Sequence, residues 1–320
     1  MLGLVFGYIN PWQFWVTVIL ISCAVIGVAG NVIMVLCYFR SKKLRSPCHI
    51  FITMTCLADF MHQCGHFTFA VQVFGNYSTS QSECYFINFF PVIGLVILGP
   101  LILAMGMDRL IAVRMPARYR YYQDHQLPYL TVQSIFPIFY VAVVMAIGFT
   151  TRDDKIDVKC SNNRVLNGKA FQWFGMSRTV LYIISAFMYA YVYHKLKDST
   201  MSTRFKSVFR SITVTIGFVM FGLVCTSFAN ALSYFMRIET NVLSLIVLYA
   251  GLSVNLACTC NVFVYYIFNA DYRETIRVIL HMKSAKDLMN HEASTMNTVR
   301  RANSQKESNR TAPSFVVLPL

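Results

Sequence analysis

The chain has 320 residues, 56% of them hydrophobic and only 13% charged, with a formal net charge of +14. Its mean hydropathy is +0.51. A soluble domain carries roughly a quarter charged residues, so the composition excludes an ordinary soluble enzyme and points to the membrane.

Seven apolar stretches follow, each near the length at which a helix crosses a bilayer. They are predicted at 12–39, 49–74, 84–113, 128–150, 172–194, 209–236 and 242–268. The loops between them set the orientation. Loop 40–48 holds Arg40, Lys42, Lys43 and Arg45, loop 114–127 holds Arg114, Arg118 and Arg120, and loop 195–208 holds Lys195, Lys197, Arg204 and Lys206. Segment 1–11 and loop 75–83 have no Lys or Arg, loop 237–241 has Arg237, and loop 151–171 is mixed. The positive-inside rule therefore places the N-terminus outside and the tail inside. The positive charge is a topology signal, and nucleic acid is not an expected partner.

The expected organisation is a short extracellular segment over 1–11, a seven-helix membrane domain over 12–268, and a cytoplasmic part over 269–320. Segment 1–11 lacks the basic start of a cleavable leader, so the first span reads as a signal anchor. Residues 269–282 can form an amphipathic helix on the inner leaflet, with Tyr272, Ile276, Ile279 and Leu280 on its apolar stripe. Beyond about 283 the chain is polar and rich in Ser, Thr and Asn, as disordered tails are. The fold class is thus an all-α membrane protein, a seven-transmembrane helix bundle with a short amphipathic cytoplasmic helix.

Chemistry gathers at a few positions. Asp108 and Arg109 end a run without charge from Tyr85 to Met107. At about 1.5 Å per residue, a continuous helix would put Arg109 about 37 Å from Cys84, at the opposite membrane face. Of the ten cysteines, Cys84 and Cys160 alone reach the oxidising outer face, and they are the expected disulfide. Asn31, Asp59 and Asn261 share one depth and are expected to form a single hydrogen-bonded layer. A membrane-embedded acid such as Asp59 is a functional candidate, with helix-to-helix glue as the alternative. His62 and His66 lie four apart on one face of the second span, placed either to meet a ligand or to be satisfied by neighbouring helices. Arg178, inside the fifth span, reads as a counter-ion for an acidic ligand or as a cation snorkelling to the interface. Asn76-Tyr77-Ser78 is a glycosylation acceptor on an outer loop. Ser294, Thr298 and Ser304 are phosphorylation candidates in the tail.

In order, the chain contains Gly30-Asn31, Leu57-Ala58-Asp59, Cys84, Asp108-Arg109-Leu110, Cys160 and Asn261-Val262-Phe263-Val264-Tyr265. This set resembles the rhodopsin-like class of G-protein-coupled receptors over about residues 25–280. The run Leu44-Arg45-Ser46-Pro47-Cys48-His49-Ile50-Phe51 resembles, more narrowly, the nematode serpentine receptor class SX. The resemblance implies that Asp108 holds Arg109 at rest and releases it towards a heterotrimeric G protein when the sixth span moves outward. It also implies that Tyr265, four residues after Asn261, turns inward on activation. Departures limit the transfer. Val262 replaces a usual proline, the stretch Ser211–Phe235 has neither Trp nor Pro, and Leu98 and Ala257 stand where relatives place sodium-binding groups.

The implied function is a chemosensory receptor in the plasma membrane, binding a small molecule or short peptide and needing no cofactor. A neuropeptide or small-transmitter receptor is the runner-up, and a sensory-cilium location would separate the two. An intramembrane enzyme would need paired acids or a metal cluster, whereas Asp59 is the single acid deep in a span. A channel or transporter would show repeats or charge-lined pores, which the sequence lacks. A retinal pigment is excluded because stretch 242–268 has no lysine for a Schiff base.

Overall fold

A computed structural model describes residues 11–197, 203–235 and 240–282. The seven long helices are α1 (Pro11–Arg40), α2 (Pro47–Phe74), α4 (Phe89–Arg114), α6 (Gln126–Thr150), α7 (Gly168–Lys197), α8 (Thr203–Phe235) and α9 (Thr240–Phe268). Three shorter helices complete the described chain: α3 (Gln81–Ile87), α5 (Pro116–Asp124) and α10 (Ala270–Ile279). Segment 1–10 and the tail with Ser294, Thr298 and Ser304 lie outside the described residues.

α1, α4 and α6, with stretches 205–222 of α8 and 251–268 of α9, are long and apolar enough to cross a membrane by length and composition alone. α2 and α7 are as long but more polar, and on α2 the polar His62, Gln63 and His66 are buried. Large apolar side chains point outward instead, among them Val132, Ile138 and Phe139 of α6. That inversion suits a surface wetted by acyl chains. The protein is a multi-pass membrane protein.

Glycines let the helices approach closely, as small residues do in bilayers. A Cβ at Gly94 of α4 would collide with the α2 backbone at Ala58, and one at Gly30 of α1 would meet Val262 of α9 at 2.7 Å. α4 is the central helix, packed on α2, α7 and α6, while α6 lies at the rim. The inner core gathers around Met34, Phe51, Leu101, Ile212 and Tyr265. An outer core surrounds Cys84 and Cys160 with Tyr85, Val144, Leu166 and Phe174.

Several boundaries differ from expectation for local reasons. The third span is not one helix from Cys84: the backbone leaves helical geometry at Asn88 (φ −99°, ψ 23°), so Cys84 belongs to α3. A capping box starts α3, with Ser80 and Glu83 reciprocally bonded. Loop 114–127 contains α5, which opens on Pro116, a residue pre-set for a first helical turn. The fifth span begins at Gly168 rather than Gln172, so Arg178 lies about 15 Å inside the helix. α10 forms as expected, its start capped by Asn269, whose side chain accepts from the backbone of Asp271 and Tyr272. Tyr272 and Ile276 pack inward, whereas Leu280 is about half exposed.

Candidate functional site

A tethered loop lies across the end of the bundle that holds Cys84, the end expected to face outside. Cys84 and Cys160 form a disulfide, with Cα atoms 5.3 Å apart. Thr79 and Ser80 pair antiparallel with Val158 and Asp157. Two buried glutamines fasten the rest: Gln72 accepts from the Cys160 amide, and Gln81 donates to the Val165 carbonyl at 2.7 Å. The loop then drops Asn162 into the bundle. Its Nδ2 donates to the His62 carbonyl at 2.8 Å and lies 3.1 Å from the His62 ring. It packs so tightly on Gly65 that a Cβ there would overlap it. Asn76, with a positive φ of 50°, turns the preceding loop and is exposed.

Below this lid lie His62 and His66, rings edge to face at 5.3 Å. His66 is bonded to the Asn255 side chain at 2.5 Å. Both histidines are therefore satisfied by neighbours, the alternative that the sequence left open. Arg178 differs. Its guanidinium stands 4.9 Å from the Phe174 ring, its Nε is buried without a hydrogen-bond partner, and it makes no ion pair among the described residues. It borders two small cavities. An upper one of about 70 Å³ includes His62, His66 and Asn255, and a lower one of about 30 Å³ includes Asp59, Leu98 and Ala257. The fifth-span aromatics divide: Tyr182 and Tyr189 are buried, while Phe187 and Tyr193 face the lipid.

The mid-bundle polar layer is real in part. Asn261 Nδ2 donates to Asp59 Oδ2 at 2.5 Å. Asn31 instead donates to the Cys258 carbonyl at 3.2 Å, so it ties α1 to α9 without touching the acid. The single layer expected of Asn31, Asp59 and Asn261 is thus two separate links.

The inner end holds the densest charge cluster. Arg109 donates to Asp108 Oδ2 from Nε at 2.9 Å and from Nη2 at 2.5 Å. Nη2 also reaches the Tyr119 hydroxyl at 2.8 Å, and that hydroxyl lies 3.4 Å from Asp108 Oδ2. Tyr129 donates to Asp108 Oδ1 at 3.0 Å. Asp108 is fully buried and Arg109 nearly so. Burial in this cluster lifts the Tyr119 phenol above its usual range, with nearby Asp108 adding to the rise against Arg109, so the group stays a hydroxyl donor. The Phe205 ring of α8 covers Arg109 at 4.8 Å, and the two border a cleft of about 220 Å³ together with Lys43 and Gln123. Tyr265 is buried nearby, its ring 5.0 Å from Tyr272 of α10.

Tyr119, Tyr129, Phe205, Asn162 and Asn255 were not singled out by sequence. The signal available for Tyr119 was Pro116, which starts the helix that swings it beneath the third span.

Seven long helices, an outer disulfide and a buried acid–arginine pair at one end define a serpentine membrane receptor fold. The family model described as "Serpentine type 7TM GPCR chemoreceptor Srsx" matches residues 24–280, and the chain belongs to that family. A human protein named "Olfactory receptor 52Z1P" is 22% identical over 129 residues, 40% of this chain. The chain spans 43% of the length of that relative. By family the chain is thus of the chemoreceptor type, and that family is not an enzyme family.

Proposed function

We propose that this receptor sits in the plasma membrane with its N-terminus outside, binds a small molecule in the outer half of the bundle and activates a heterotrimeric G protein at its inner face. The observation that carries this reading is the Asp108–Arg109 pair, buried at the head of a cleft and covered by Phe205 of α8. An outward shift of α8 would uncover Arg109 and free it to meet a partner. Such an arrangement is bistable, because a charge pair in low dielectric either stays paired or must find new partners. The cavities above, about 70 and 30 Å³, favour a compact ligand over a peptide reaching deep into the bundle.

The test is G-protein dissociation in cells expressing the full chain, screened with pooled odorants, small metabolites and peptides beside Arg109→Ala. A response lost in the mutant at equal surface expression supports the reading. A wild-type response that survives Arg109→Ala unchanged overturns the switch. Sensory-cilium localisation supports the chemosensory role, and response to neuropeptides alone would favour the runner-up.

A further inference from the structure

The receptor reading leaves the ligand's chemistry unnamed, and Arg178 supplies it. Removing a charge from water is strongly unfavourable unless an opposite charge or several hydrogen bonds compensate it. Arg178 lies ten residues into α7, with its stem over Gly99 at the middle of α4. No carboxylate pairs with it among the described residues, and its buried Nε has no acceptor. Asp59 borders the same lower cavity but is occupied by Asn261. Asn162 is bonded to His62 and Asn255 to His66, whereas Thr215 Oγ1 and Asn261 Oδ1 at the lower cavity have no partner among the described residues and bring no charge. One cation without a carboxylate partner among the described residues thus borders both cavities.

The walls define the rest of the ligand. Leu95 and Val254 border both cavities, as Arg178 does, so the guanidinium stands at the junction of the two. Their volumes, about 70 and 30 Å³, admit a few heavy atoms each and exclude a drug-sized molecule. Apolar Leu98, Ile216 and Ala257 line the lower space. A guanidinium presents a planar fork that matches a carboxylate with two parallel hydrogen bonds. One cation balances one negative charge, and nothing else in the walls would balance a second.

We propose that Arg178 is the counter-ion for a small organic monocarboxylate, whose head takes the guanidinium fork and whose short aliphatic tail fills the apolar space beside Leu95. The proposal rests on the receptor reading above and deepens it by naming the ligand class. The counter-ion reading is favoured over the snorkelling one because the guanidinium borders both cavities and its Nε is buried.

The experiment measures thermal unfolding of the purified full chain in lipid nanodiscs, without G protein. The probes are acetate, butyrate, hexanoate and octanoate, against the alcohol and primary amide of each length. A carboxylate among them should raise the midpoint dose-dependently while its alcohol and amide leave it unmoved. Arg178→Gln should weaken that effect at least tenfold, and Arg178→Lys should weaken it less. The unliganded midpoint of Arg178→Gln should hold or rise, since an uncompensated cation has gone. Equal action of acid and amide, an unchanged Arg178→Gln, or no stabilisation by any acid would overturn the proposal. A fall in the unliganded midpoint of Arg178→Gln would do so too, by showing a structural role. Binding of butyrate with no G-protein release would sink the signalling reading alone. Signalling to neutral or cationic compounds alone would sink the carboxylate alone.

Discussion

Two arginines lie inside this bundle, and their surroundings are opposites. Arg109 at the inner end has a carboxylate, a tyrosine hydroxyl and an aromatic ring around it, and the carboxylate has a second tyrosine of its own. Arg178 in the other half has an aromatic ring, and its Nε has no acceptor among the described residues. The same side chain is thus part of a finished network in one place and of an unfinished one in the other. A finished network holds a conformation. An unfinished one waits for something from outside the chain, and the contrast assigns the two ends of the molecule different work.

The comparison breaks most visibly if either charge is removed. Arg109→Met would leave the Asp108 carboxylate buried among uncharged groups, and should cost about 3–5 kcal/mol in unfolding free energy. Arg178→Met should shift stability the other way, upward or not at all. Two variants moving in the same direction would erase the distinction. Next in size is the tether: Cys160→Ser opens a loop spanning 76 residues and should lower stability by about 2–4 kcal/mol, read as reduced surface delivery. Tyr129→Phe sharpens the comparison without removing charge. It deletes one hydrogen bond to Asp108, worth about 1.5–3 kcal/mol to a charged group. Loosening the pair should raise ligand-independent G-protein release, while butyrate-induced stabilisation in nanodiscs stays as in the wild type. The smallest effect belongs to the exposed Lys43–Glu274 pair at 3.8 Å, where Lys43→Ala should change the midpoint by less than about 0.5 kcal/mol.

Much of this architecture was legible in the residues. The seven long helices rest on local composition, which a bilayer reads almost directly, and the Cys84–Cys160 pairing was expected from the placement of the cysteines. Asp108 and Arg109 could be paired because they are neighbours in the chain. Their tyrosines could not, since Tyr119 and Tyr129 reach Asp108 only after α5 folds back beneath the third span. The early start of α7 was missed because Gly168 and Lys169 break the apolar run ahead of Ala170 and Phe171. Asn31 illustrates a different limit. Position along a span does not say which acceptor a side chain will choose, and Asn31 donates to the Cys258 carbonyl.

Asn162 has a consequence in time rather than in structure. It hangs two residues from Cys160, so the disulfide that anchors the outer loop also shortens the tether of its plug. A molecule in the space beneath would meet this plug, which the His62 carbonyl holds in place. The dwell time of a bound molecule would then follow how often the plug lifts, and not how strongly the molecule is held. A receptor stoppered in this way keeps a record of a brief exposure after the surrounding fluid has cleared.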